Sequence, residues 1–142
     1  MEEKAADLRQ QLPSYKVVLT TGLILALTGW LGLALLFLLT IPTLGPRWLL
    51  FYLTTMAFSG PALPVMHYLH RRFPRKPAAT GAVLVREALW VGIYTDAILW
   101  LQFGKVLNFA LAVLIAAGLV AVELLIRLRE RSQWTPPISE NE

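Results

Sequence analysis

The chain reads as an all-α, polytopic membrane protein with four transmembrane helices in two antiparallel hairpins. Three observations predict this. Four long apolar runs lie near residues 17–40, 47–70, 80–103 and 106–128, and about 20 apolar residues cross about 30 Å of hydrocarbon as a helix. The 142-residue chain is 56% hydrophobic and only 15% charged, against roughly 25% charged in a soluble domain. Its basic residues gather at the ends of the runs, where they anchor and orient a membrane protein.

The first run, Val17 to Thr40, carries no charged residue. Residues 1–16 form an N-terminal segment in which Glu2, Glu3 and Asp7 stand beside Lys4 and Arg9. That charge mixture is unlike a secretory leader, and no Ala-x-Ala site closes the first run, so the first span is expected to be retained. Ala5, Leu8 and Leu12 share a helical face up to Pro13, so the segment is either a short surface helix or a frayed tail. The breaker-rich loop Ile41-Pro42-Thr43-Leu44-Gly45-Pro46 joins spans 1 and 2.

The second run, near Trp48–His70, contains Gly60, Pro61 and Pro64. Neither proline donates a backbone hydrogen bond, so the carbonyls of Ala57 and Gly60 are freed and a helix break or bend is expected here. Such breaks mark substrate sites in many transporters, and they also mark ordinary kinks. Arg71, Arg72, Arg75 and Lys76 form the middle connection, and Gly104 is the expected break before span 4. The domain of spans occupies residues 17–128, and residues 129–142, with Pro136-Pro137, read as a disordered tail.

Orientation follows from charge. Lys4, Arg9 and Lys16 precede span 1, Arg71 to Lys76 follow span 2, and Arg127, Arg129 and Arg131 follow span 4; the opposite side holds only Arg47 and Lys105. Both termini are therefore expected on the cytoplasmic side of a bacterial plasma (inner) membrane. The net charge of +4 is accounted for by these anchors, and no nucleic-acid partner is expected. The absence of cysteine removes disulfides, thiolate metal sites and cysteine nucleophiles.

Ionisable groups inside a membrane are costly and are the first candidates for a site. Span 3 carries Arg86, Glu87 and Asp96, span 4 carries Glu123, and span 2 carries His67 and His70. Arg86 and Glu123 are nearly equidistant in sequence from Lys105, so a tight hairpin brings them to one depth and favours pairing. The competing arrangement lets Arg86 snorkel while Glu123 pairs with Arg127 one turn on. Asp96 lies about 80° around the helix from Arg86, which disfavours a simple proton wire. It is either a proton or ion carrier, or a clamp accepting bonds from Thr20, Thr21, Thr54 or Thr55. His67 reads as an interfacial hydrogen-bonder, since two histidines three apart make no metal site. Gly22, Ala26 and Gly29 on span 1, and Ala110, Ala117 and Ala121 on span 4, form small-residue stripes suited to close helix approach.

The runs Tyr68-Leu69-His70-Arg71-Arg72-Phe73, Val85-Arg86-Glu87-Ala88-Leu89-Trp90-Val91-Gly92 and Trp100-Leu101-Gln102 resemble a type of small bacterial four-span membrane protein. The resemblance covers roughly the last two-thirds of the chain. It implies the four-span fold and imports no activity, ligand or cofactor. Small multidrug-resistance transporters are of similar size but carry an essential acid in the first span, and this first span has none.

No nucleotide loop, zinc-protease helix or serine elbow is present, so no catalytic, cofactor or metal residue is assigned. The expectation is a non-enzymatic accessory, structural or interaction subunit of a membrane complex, with the bilayer and either copies of itself or other subunits as partners. The alternative is a small proton- or ion-coupled transporter or channel subunit using Asp96 and the Arg86–Glu123 pair. A lipid-modifying enzyme ranks third, because its acids and histidines are too scattered to assign a reaction.

Overall fold

The computed structural model describes residues 12–40, 44–73 and 79–133. These residues form four α-helices: α1 Tyr15–Leu39, α2 Leu44–Arg72, α3 Gly81–Phe103 and α4 Phe109–Gln133. The expected surface helix over Ala5, Leu8 and Leu12 falls almost wholly outside the described residues, as does most of the middle basic loop. Three helical segments are long and apolar enough to cross a membrane, namely Tyr15–Leu39, Arg47–Arg72 and Phe109–Glu130. The remaining helix, α3, carries Arg86, Glu87 and Asp96, and those charges separate it from the other three by composition.

Extensive interfaces join α1 to α2 and α2 to α3, while α3 meets α4 only sparsely. The bundle is thus an open row of helices, with α1 and α4 at its two edges. Two small cores hold the first three helices together. One gathers Val18, Ala62, Leu63, Leu84 and Ala88, and the other Leu33, Leu36, Leu50, Leu53 and Ala57.

The small-residue stripe on α1 is what lets α2 approach. A Cβ built on Gly29 would sit 2.6 Å from the Cα of Ala57, and one on Gly22 would sit 2.6 Å from the Gly60 carbonyl oxygen. Backbone occupies the space that any larger residue needs. The stripe on α4 behaves differently. Ala110, Ala117 and Ala121 are exposed, and a Cβ on Gly118 would meet nothing within 4 Å.

The proline pair does not interrupt α2, which continues as one helix through Pro61 and Pro64. Of the two forms expected at Gly60, Pro61 and Pro64, a break or a bend, the break is absent: the helix is not interrupted, and a bend at the missing donors is compatible with its continuity. The Gly60 carbonyl freed by Pro64 lies against α1, where a Cβ built on Gly22 would sit 2.6 Å from its oxygen. The start of α2 also precedes the expected boundary, with Pro46 in the first turn, where an amide has no partner in any case.

At the α3–α4 turn the left-handed residue is Lys105, at φ 54°, and Gly104 remains right-handed. The Lys105 amide donates to the Gln102 carbonyl at 3.0 Å and the Val106 amide to Leu101 at 3.2 Å, which is a Schellman closure with lysine in the position that favours glycine. Asn108 then caps α4, its side-chain oxygen accepting from the Leu111 amide at 2.7 Å. α4 runs to Gln133, past the end expected at residue 128; its last turns include Glu130, which is held by an ion pair to α3.

Candidate functional site

The charged residues of α3 and α4 meet at the end of the bundle away from the Lys105 turn. Glu123, Arg127 and Glu130 are spaced four and three apart, so they share one face of α4. Arg86 of α3 donates to both oxygens of Glu123, from Nε and one terminal nitrogen, each at 3.2 Å. Its other terminal nitrogen donates to Glu130 at 2.5 Å. Arg127 donates to Glu123 at 2.8 Å and also reaches across to Glu87. Trp90 Nε1 donates to Glu123 at 3.0 Å. His70 of α2 completes the set through Nε2 and Glu87, 2.7 Å apart.

Both arrangements anticipated for Glu123 therefore coexist: it pairs with Arg86 between helices and with Arg127 along its own. A carboxylate with four donors is well satisfied, which offsets the cost of placing it among apolar residues. The roles of Trp90, His70 and Glu130 escape a reading of single charges. The signal was present in the spacing, because Trp90 lies four residues beyond Arg86 on the same helical face.

Between α2, α3 and α4 these residues floor a cavity of about 460 Å³. Leu69, Val91, Leu119 and Leu124 contribute apolar wall, Trp90 and Tyr94 aromatic wall, and His70, Glu87, Glu123 and Arg127 the polar end. The cavity exists because α4 touches its neighbour through its charged end more than through its apolar length. None of the most apolar window of α4 is buried.

Asp96 belongs to a second, separate locus on the α2–α3 interface. Thr55 bonds its Oδ2 and also donates to the Phe51 carbonyl at 3.1 Å. One hydroxyl carries one proton, so Thr55 shares its donation between the Asp96 carboxyl and the Phe51 carbonyl. Asp96 Oδ1 and the nearby Ser59 Oγ are buried without a partner. Of the four threonines considered for Asp96, Thr55 is the one that reaches it. Gly92, one turn before Asp96, leaves room for Ser59: a Cβ there would lie 2.5 Å from its Oγ.

His67 stands apart from both loci. It is buried, its ring lies 5.6 Å from that of Tyr15, and its Nε2–H donates to the Pro13 carbonyl at 3.0 Å. It ties the entry of α1 to α2. The structure thus gathers Arg86, Glu87 and Glu123 into one network and leaves Asp96 and His67 elsewhere. Among the described residues no group of three or more His, Asp or Glu side chains is placed to hold a metal ion.

No protein-family model, curated protein or solved structure matches this chain. The functional reading therefore rests on the geometry.

Proposed function

We propose that this chain is a four-span bacterial inner-membrane protein with both termini cytoplasmic. It serves as a non-enzymatic accessory or interaction subunit of a membrane complex. The observation that carries the reading is α4. It is apolar over Phe109–Glu130 yet uncovered, and its small residues Ala110, Ala117 and Ala121 stand exposed. In lipid, small residues four apart are where a second helix approaches closely. Exposed Leu23, Trp30, Leu35, Phe37 and Leu38 on α1 add an apolar surface that water does not favour. The charged helix α3 crosses in this reading because α2 and α4 flank it and its ions are paired with theirs.

A photoreactive residue in place of Ala117 tests the reading in whole cells. A defined protein adduct is expected, either with a second copy or with another subunit. Adducts with lipid alone would contradict it.

A second reading, proton or ion handling, is supported by one specific observation: the unpartnered Asp96 Oδ1 and Ser59 Oγ beside the Thr55 contact. The Arg86–Glu123 pair would not take part in it, since it belongs to a different locus.

A further inference from the structure

Two buried oxygens on the α2–α3 interface have no hydrogen-bond partner, Oδ1 of Asp96 and Oγ of Ser59. They stand on facing turns. Thr55 of α2 meets Asp96 of α3, Ser59 meets Gly92 and His70 meets Glu87, so the two helices run antiparallel. Side chains lean toward the N-terminus of their own helix. Ser59 therefore leans toward the level of Thr55, and Asp96 toward the level of Gly92, into one interval between the helices. Gly92 puts no side chain there, and a Cβ on it would lie 2.5 Å from Ser59 Oγ and 3.1 Å from the Thr55 carbonyl oxygen. Ser59 is only 7% exposed, and a buried hydroxyl or carboxyl oxygen left unpaired is expensive.

We propose that this interval binds one small monovalent metal cation, Na⁺. Its ligands are the Asp96 carboxylate and the hydroxyl oxygens of Ser59 and Thr55, the last of which keeps a lone pair while donating. The set is all oxygen, which suits hard cations. One carboxylate balances one positive charge, and a divalent ion would leave the second charge uncompensated among apolar residues. The close approach of the helices at Gly92 favours a small ion over a large one. Without the ion a proton neutralises the carboxyl, and the ion takes the place of that proton. The proposal rests on the second reading above, ion handling at this locus, and names its ion.

The test follows thermal unfolding of the full chain in dodecyl maltoside at pH 8. Sodium, potassium, magnesium and choline chlorides are compared at constant ionic strength. Tm is expected to rise with the logarithm of sodium concentration above the binding constant, as mass action requires, and not with choline. Potassium should need at least about tenfold more for the same rise. Asp96→Asn should remove the sodium response and Ser59→Ala weaken it at least about tenfold, each read against the same variant in choline so that its own stability drops out. Glu123→Gln, which alters a carboxylate of the other locus, should keep the response. No rise beyond that in choline, a larger rise with magnesium, or a sodium response that survives Asp96→Asn would overturn the proposal. Proton flux into proteoliposomes decides the underlying reading separately. Flux lost in Asp96→Asn would leave proton handling standing without sodium, whereas equal flux in the two chains and no sodium response would overturn ion handling altogether.

Discussion

Arg86 of α3 and Glu123 of α4 meet through two hydrogen bonds, each 3.2 Å long, and this contact fixes where α4 stands. Along its apolar length α4 has little else to hold it. The position of one whole helix thus depends on a polar patch.

That dependence is measurable by a double-mutant cycle of Arg86→Met and Glu123→Gln. A coupling of about 0.6 kcal/mol is expected, with about 1.7 kcal/mol as the upper end for such contacts in membranes. Exchanging the two charges is a poorer test, because an arginine at position 123 would face Arg127. Additive single effects in thermal unfolding would show that the two side chains do not support one another.

The α1–α2 contact makes a contrast between two glycines. Gly29→Ala places a methyl against the Ala57 backbone and should cost about 1–3 kcal/mol by overpacking. Gly118→Ala meets nothing within 4 Å and should leave stability unchanged or raised. Thermal unfolding in one detergent compares the two directly, and equal effects would contradict the close approach.

Lys105 adopts a left-handed conformation at φ 54°, which costs a non-glycine residue about 1 kcal/mol. Lys105→Gly should therefore stabilise the α3–α4 turn by about that amount. A loss of stability would mean that the lysine side chain contributes more than its backbone strain.

One Asp96 carboxyl oxygen is buried without a partner, an arrangement that costs least when the carboxyl is neutral. Asp96→Asn should then change stability by less than about 0.5 kcal/mol. Thr55→Val should cost about 1–3 kcal/mol, since it strips the remaining partner from a buried carboxyl. A large loss in Asp96→Asn, measured by unfolding at neutral pH, would show that the carboxylate is charged.

The helices were legible because their signal is length and composition, which survive any packing. The meeting of Arg86 and Glu123 was legible too, since a short turn constrains depth on two adjacent helices. What the sequence left open was partnership. Asp96 had four threonines to choose between, and only the packing of α2 on α3 selects Thr55. Pro61 and Pro64 suggested a break or a bend, and the close approach of Gly22 to the freed Gly60 carbonyl lies on a different helix. Glycine and lysine at 104 and 105 traded roles because turn closure depends on register, which periodicity fixes only to within a residue or two. The two small-residue stripes, Gly22/Ala26/Gly29 and Ala110/Ala117/Ala121, looked alike in kind. One packs and the other does not, and nothing local to either stripe decides that.

The central claim is that α3 crosses the membrane despite its charges, giving four spans. The chain has no cysteine, so single cysteines at Thr80, Val106 and Ser132 can be labelled in intact cells with an impermeant maleimide. Four spans with cytoplasmic termini predict labelling of Val106→Cys alone. If α3 stays on one side, the three apolar helices would cross by themselves. Thr80→Cys and Val106→Cys would then be protected together while Ser132→Cys is labelled, and that result would contradict the account.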